Sequence, residues 1–155
     1  MKGIVVFAIL ALAAQMVVAA EKKEKAIPIN TNKAGDAIEG YDAVAYFEEG
    51  KAVKGNKEFK HKWMGAEWSF TSAVRRSLFA QSPTKYAPQY GGYCAFGMTK
   101  GQMVGVDATV FKVLAGKLYL CSSKDSLAKF EKDTKGNIAL ADENWQRVIK
   151  TIANQ

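Results

Sequence analysis

The chain is poor in the residues from which metal centres and disulfide scaffolds are built. Its 155 residues include one histidine, two cysteines and three prolines. Two cysteines are too few for a disulfide-dense mini-scaffold or a four-cysteine zinc site. One histidine excludes a multi-histidine metal centre within one subunit, and any Ser-His-Asp or Cys-His catalysis must use His61. There is no G-x-G-x-x-G, P-loop, C-x-x-C or G-x-S-x-G motif. Nucleotide cofactors, c-type haem attachment, thioredoxin-type chemistry and the hydrolase nucleophile elbow therefore lack sequence support. Internal repeats and low-complexity tracts are also absent. What is present is the composition of a globular protein, 48% hydrophobic and 24% charged, at a length that accommodates one domain.

The formal charge of +7 raises the question of nucleic acid. The N-terminus answers against it. Lys2 is a short positive region, Ile4 to Leu12 an apolar one, and Val18-Ala19-Ala20 places small residues before Glu21. That layout predicts a secretory signal peptide over residues 1–20 and an exported protein, periplasmic or secreted. An uncleaved membrane anchor is the alternative for the same stretch. Cleavage removes Lys2 and leaves no stable membrane insertion. No cysteine near the cut would allow a lipid anchor. The remaining lysines, such as Lys51, Lys54, Lys57, Lys60 and Lys62, alternate with apolar residues and glycine, a spacing of solvated faces rather than a nucleic-acid patch.

Residues 21–39 read as a charged tail followed by an extended lead-in with Pro28, Asn30, Asn32 and Gly35. Asp42 is placed to cap a short helix over residues 41–47. Trp63, Gly65, Trp68 and Phe70 predict a hairpin turning at Met64-Gly65. Thr71 and Ser72 then precede a helix in AVRRSLFAQ, with Val74, Leu78 and Phe79 as its buried side. A second hairpin is predicted for TVFKVL and KLYLC around Ala115-Gly116. Ser122 and Ser123 precede another helix, with Leu127 and Phe130 inward and Gly136 closing it. Ile138, Ala141, Trp145, Val148, Ile149 and Ile152 form the stripe of a final amphipathic helix. The class is α+β: a small antiparallel sheet with short helices packed on it.

The densest chemistry lies in YAPQYGGYCAFGM, residues 86–98. Gly91-Gly92 frees the backbone to turn tightly, and the loop presents Tyr90, Tyr93 and Cys94. Cys94 reads either as a thiolate in an aromatic pocket or as a small buried hydrophobe. A Cys94–Cys121 disulfide is a further option in an exported protein, stabilising by roughly 3–4 kcal/mol in the chain-entropy model. His61 shares a strand face with Phe59 and Trp63. It reads either as a half-buried structural histidine or as a ligand beside Cys94, where sulfur with imidazole suits zinc or copper. Met64, Met98 and Met103 add thioethers, more commonly gap-fillers. The carboxylates show no metal-loop spacing, and Asp142-Glu143 reads as a solvated helix face.

Several runs together carry a resemblance: GYDAVAYF from Gly40; Trp63-x-Gly65-Ala66-x-Trp68-x-Phe70; Arg76-x-x-Phe79; Pro83-x-x-Tyr86-Ala87-Pro88-Gln89-Tyr90-Gly91-Gly92-Tyr93-Cys94-Ala95; Gly116-Lys117-Leu118-Tyr119-Leu120; and Ala141-Asp142-x-Asn144-Trp145. This set resembles the exported YHS-domain proteins over about Gly40 to Trp145. The resemblance implies a single YHS-like domain over residues 40–152, extended by the C-terminal amphipathic helix. Intracellular YHS domains are small cysteine-bearing modules associated with metal binding. By resemblance Cys94 is the family cysteine, and His61 its proposed partner. The chain departs from the family in reading Cys at position 121, where the relatives usually read Asn, and in lacking the Tyr-His-Ser tripeptide. The function expected is an exported small binding protein, more a binder than an enzyme. Its metal ligands would be Cys94 and His61, and its pocket would be lined by Tyr90, Tyr93 and Trp68. Copper is favoured over zinc. The alternatives are a module binding a small organic or haem-like ligand in the aromatic pocket, and an enzyme with Cys94 as nucleophile and His61 as base.

Overall fold

The computed structural model describes residues 26–155. The signal peptide expected over residues 1–20, and the charged tail that follows it, lie outside the described residues. Among the described residues no helix is long and apolar enough to cross a membrane.

Ten elements follow one another: α1 (Ala45–Glu48), β1 (Asn56–Trp63), β2 (Ala66–Phe70), α2 (Ala73–Gln81), α3 (Pro83–Tyr86), α4 (Ala95–Met98), β3 (Asp107–Leu114), β4 (Lys117–Cys121), α5 (Lys124–Lys132) and α6 (Thr134–Ala153). Short 3₁₀ turns occupy Ile38–Gly40 and Gln89–Gly92. The α+β class expected from the sequence holds. The strands form two separate two-stranded antiparallel sheets, β1-β2 and β3-β4, rather than one.

Both hairpins turn where the sequence places them. Met64-Gly65 and Ala115-Gly116 each have positive φ at both positions, the backbone of a type I′ turn whose twist matches that of the strands. Along β1, Lys60 and Lys62 are exposed while Phe59, His61 and Trp63 are half-buried, the alternation of a sheet with one wet face. Ser72 caps α2 by accepting from the Arg75 N–H. Ser123 caps α5 in a reciprocal box with Ser126.

Two expectations about helices are corrected. Val74 is 69% exposed and takes no part in the core; Phe79 alone of the α2 residues is fully buried, with Leu78 half-buried. Gly136 does not close α5. The helix ends at Lys132, and Asp133 caps α6 by accepting from the Gly136 N–H, so the glycine sits in the first turn of the next helix. An aspartate that can bond N–H groups three residues on starts a new helix more readily than a glycine ends the old one.

Two apolar clusters fill the interior. The first gathers Ile38, Val44, Tyr46, Trp68, Phe70, Phe79, Leu118 and Leu120. Phe79 lies at its centre, 4.8 Å from Trp68 and 5.1 Å from Phe70 between ring centroids. The second gathers Tyr90, Cys94, Met98, Tyr119, Cys121, Phe130, Ala141 and Trp145. Strand β4 feeds both: Leu118 and Leu120 face the first, Tyr119 and Cys121 the second, so neither face of the strand meets water.

The lead-in is structural. Ala37 and Ile38 are core residues, and the Asn30 N–H donates to Gly91 O at 2.8 Å while its side-chain amide donates to Gly92 O. The helix expected over residues 41–47 runs Ala45–Glu48 with Val44 as its flanking residue, and Asp42 accepts from the Val44 and Ala45 N–H groups just before it. Its second oxygen accepts from the Thr71 N–H and hydroxyl, each at 2.8 Å. Arg75 stands 3.5 Å from this fully buried carboxylate and also pairs with Glu48 and Glu49. This cluster ties α1 to the start of α2.

Candidate functional site

Cys94 is the N-terminal flanking residue of α4, at the bottom of the turn formed by Gln89–Gly92. Tyr90 and Gly91 both adopt positive φ, which folds the chain back sharply enough to place the thiol inward. The sulfur is buried, at 1% exposure. It accepts from the Gly97 N–H at 3.5 Å and from the Ser122 N–H at 3.3 Å. Ser122 Oγ lies 3.6 Å away and Ser126 Oγ 3.9 Å. Ser126 donates its own proton to Ser123 O, and the two hydroxyls stand 3.1 Å apart.

Cys121, at the end of β4 and wholly buried, supplies a further donor. Both cysteines are free, and both belong to the second core cluster. Donation from the Cys121 thiol, then from the Gly97 N–H and the Ser122 groups, pulls the Cys94 thiol down to about 4, against the opposing effect of burial. The same interaction, with burial, pushes Cys121 far above the ordinary thiol range, although its sulfur also faces the Ala95 and Phe96 N–H groups. The two titrate as a pair, and the pair holds its first negative charge on Cys94. Every donor named here is neutral.

The structure does not bring the predicted partners together around this sulfur. His61 belongs to β1, and its ring meets Phe79, centroids 6.0 Å apart, against the first core. Trp68 is likewise in the first core, its indole N–H donating to Trp63 O. Cys94 belongs to the second. Of the expected set, Tyr90 and Tyr93 share its cluster. Tyr90 donates its hydroxyl to Asp142 at 2.8 Å and meets Tyr119 at a tilt and Trp145 edge-on. Burial and that carboxylate push its phenol well above the ordinary range. Asp142, read from sequence as part of a solvated face, is thus a partner of the buried tyrosine.

Tyr90 meets Tyr119 and Trp145 in the second cluster, and Trp68 packs in the first. The surface groove of about 400 Å³ beside α6 is lined by Gly101, Met103, Asn144, Arg147, Val148 and Ile152 among others, and takes nothing from Tyr90, Tyr93 or Trp68. Among the described residues no three His, Cys, Asp or Glu side chains converge on one point that could hold a metal. The sulfur pair is therefore the chemistry that the fold assembles. The sequence alone offers Cys121 as a disulfide partner or a simple core or surface residue, and Ser122 as a cap, without placing either serine of the pair Ser122 and Ser126 at the Cys94 sulfur. Their signal is the Cys-Ser-Ser-x-x-Ser run of residues 121–126, whose serines also form the helix cap.

No protein-family model, curated protein or solved structure matches the chain.

Proposed function

We propose that the chain is an exported, YHS-like binding module that takes a soft metal ion, copper(I) ahead of zinc, on the sulfurs of Cys94 and Cys121. The observation that supports this reading is a pair of free, buried cysteines in one core cluster, with Cys94 Sγ accepting from the Gly97 and Ser122 N–H groups. Thiolate sulfur is the ligand type that a soft monovalent cation prefers. Zinc in a structural site asks for four ligands, and two sulfurs fall short of that. The YGGYCA run of the family resemblance centres on the same residue, Cys94. His61, the imidazole ligand expected from sequence, is replaced in this reading by Cys121. Binding would displace the proton that the pair shares, so affinity should rise with pH.

The test is an anaerobic copper(I) titration of the mature protein against a competing chromophoric chelator. The expected result is one ion per chain, lost in Cys94→Ser and in Cys121→Ser and retained in His61→Ala. Binding by Cys94→Ser as strong as the parent's would defeat the proposal, as would loss on removal of His61 alone.

A further inference from the structure

The exposed apolar side chains are concentrated on one side of the molecule. Among the described residues the large ones are Val74, Met103, Val104, Leu140 and Ile152, and all but Val74 lie on α6 or on the loop beside it. Between that loop and the last turns of α6 runs the groove of about 400 Å³, within the size range of small-ligand sites. We propose that this groove binds a single-chain anionic amphiphile, a long-chain carboxylate, with the alkyl chain along Met103, Val148 and Ile152 and the carboxylate on Arg147. The groove takes no residue from the sulfur pair, and the proposal goes beyond metal binding.

The polar groups of the groove select that chemistry. Asn144 uses both amide hydrogens within the protein, donating to Met98 O at 3.1 Å and to Thr99 O at 2.9 Å. Thr151 donates its hydroxyl to Arg147 O at 3.0 Å. Arg147 is the lining residue with donors to spare. One of its N–H groups donates to Asn144 Oδ1 at 3.2 Å and another pairs with Glu143, which leaves part of a five-donor fork unused. The pair with Glu143 is exposed on both sides and worth little, so the guanidinium is able to turn to a ligand carboxylate, the planar group it grips in bidentate fashion. A ligand lying here meets apolar side chains and one cationic donor. An apolar patch with a polar rim of this kind is the surface of a ligand groove.

Two other occupants fit less well. The charges of α6 are Lys135, Asp142, Glu143, Arg147 and Lys150, a mixture of signs that gives an anionic bilayer little net attraction, whereas a single carboxylate needs only the one guanidinium. A two-fold contact between copies would set one Arg147-bearing groove against another, and like charges facing each other count against an interface.

The experiment titrates laurate, kept below its micelle-forming concentration, into chelator-treated protein purified after export, at neutral pH, and reads binding by calorimetry. One laurate per chain is expected. Arg147→Gln should weaken binding roughly tenfold, the scale of one charge-assisted hydrogen bond, and Arg147→Lys should weaken it less. Met103→Asp sets a carboxylate in the groove wall and should weaken binding at least as far, while Val74→Asp on α2 should bind as the parent does. Dodecanol has the same chain without the charge, and the parent should hold it about as weakly as Arg147→Gln holds laurate. Absence of laurate binding, or an affinity unchanged in both Arg147→Gln and Met103→Asp, overturns the proposal. So does dodecanol bound as tightly as laurate, attachment to phosphatidylglycerol vesicles without binding of the monomer, or a protein dimer that Ile152→Glu dissociates and laurate does not. The dodecanol comparison uses the parent alone and decides the matter if a variant fails to fold. The protein is metal-free throughout, so this titration and the copper titration succeed or fail independently.

Discussion

Three glycines with similar backbone angles separate the cost of strain from the cost of collision. Gly116, Gly92 and Gly91 have φ of +73°, +81° and +62°, so alanine at each pays the left-handed penalty of about 1–2 kcal/mol, partly offset by roughly 0.4–1 kcal/mol from a stiffer unfolded chain. Their surroundings differ. A Cβ at Gly116 meets nothing within 4 Å. At Gly92 it meets Pro88 Cγ at 3.3 Å and Ile38 Cγ2 at 3.5 Å, contacts that small shifts relieve. At Gly91 it falls 2.0 Å from Pro28 O and 3.1 Å from the Trp145 ring. A backbone carbonyl cannot step aside unless the lead-in moves, and that movement breaks the Asn30 N–H bond to Gly91 O. Overpacking of this kind costs about 1–3 kcal/mol or more, and the lost bond about 1 kcal/mol. The expected destabilisations are therefore about 1 kcal/mol for Gly116→Ala, about 1–2 for Gly92→Ala and about 3–5 for Gly91→Ala. Urea unfolding followed by tryptophan fluorescence reads all three. If Gly91→Ala lands within about 1 kcal/mol of Gly92→Ala, the docking of Pro28 onto the turn is not what requires the glycine.

Asp42→Asn should cost about 3–5 kcal/mol, because it strips the carboxylate from a buried network and leaves Arg75 and the Thr71 donors facing an amide; an unchanged urea midpoint would refute that. Ser123→Ala removes the α5 cap and should cost about 1 kcal/mol, read by the same unfolding curve. Phe79→Ala should lose about 3–5 kcal/mol, whereas Val74→Lys on the same helix should change stability by less than about 0.5. The last prediction concerns pH. Cys94 is held at about 4, below its unfolded value, so the unfolded state binds the extra proton. Its contribution is fully present above the ordinary thiol range, falls as pH drops, and is gone below about 4. Cys121, shifted upward, works in reverse above the ordinary thiol range. In metal-free protein the stability difference between parent and Cys94→Ser should grow with pH from about 5 to about 8, by no more than ~1.4 kcal/mol per pH unit. A flat difference would mean that the buried sulfur is not a thiolate.

Local signals were readable in the sequence because local residues decide them. Both I′ turns, the Ser72 and Ser123 caps and the alternation of β1 depend on neighbours within four positions. Val74 shows the limit: helical spacing places it with Leu78, but nothing in the spacing says which arc of α2 finds a partner, and Phe79 took that role. The site was half legible. Gly-Gly before Cys94 marks a sharp turn, and it is one. The partner of Cys94 is set by which strand ends beside α4, a long-range fact that spacing does not carry. His61 was the only imidazole on offer, and hairpin β1-β2 carries it into the other core. The positive φ at Ile38, Glu39 and Tyr90 was likewise invisible, since no side chain there advertises it.

Strand β4, buried on both faces, has a consequence for the direction of traffic at the sulfurs. A wall shared by two cores cannot fray from one side, because releasing it empties Leu118 and Leu120 from the first core as well as Tyr119 and Cys121 from the second. The floor beneath the sulfur pair therefore opens only when the whole molecule does. The roof is different: Ser122 and Ser123 are exposed, and their bonds are those of one helix start. The beginning of α5 is therefore the thin side of the cover over Cys94, and the rest of the fold is the fixed frame around it.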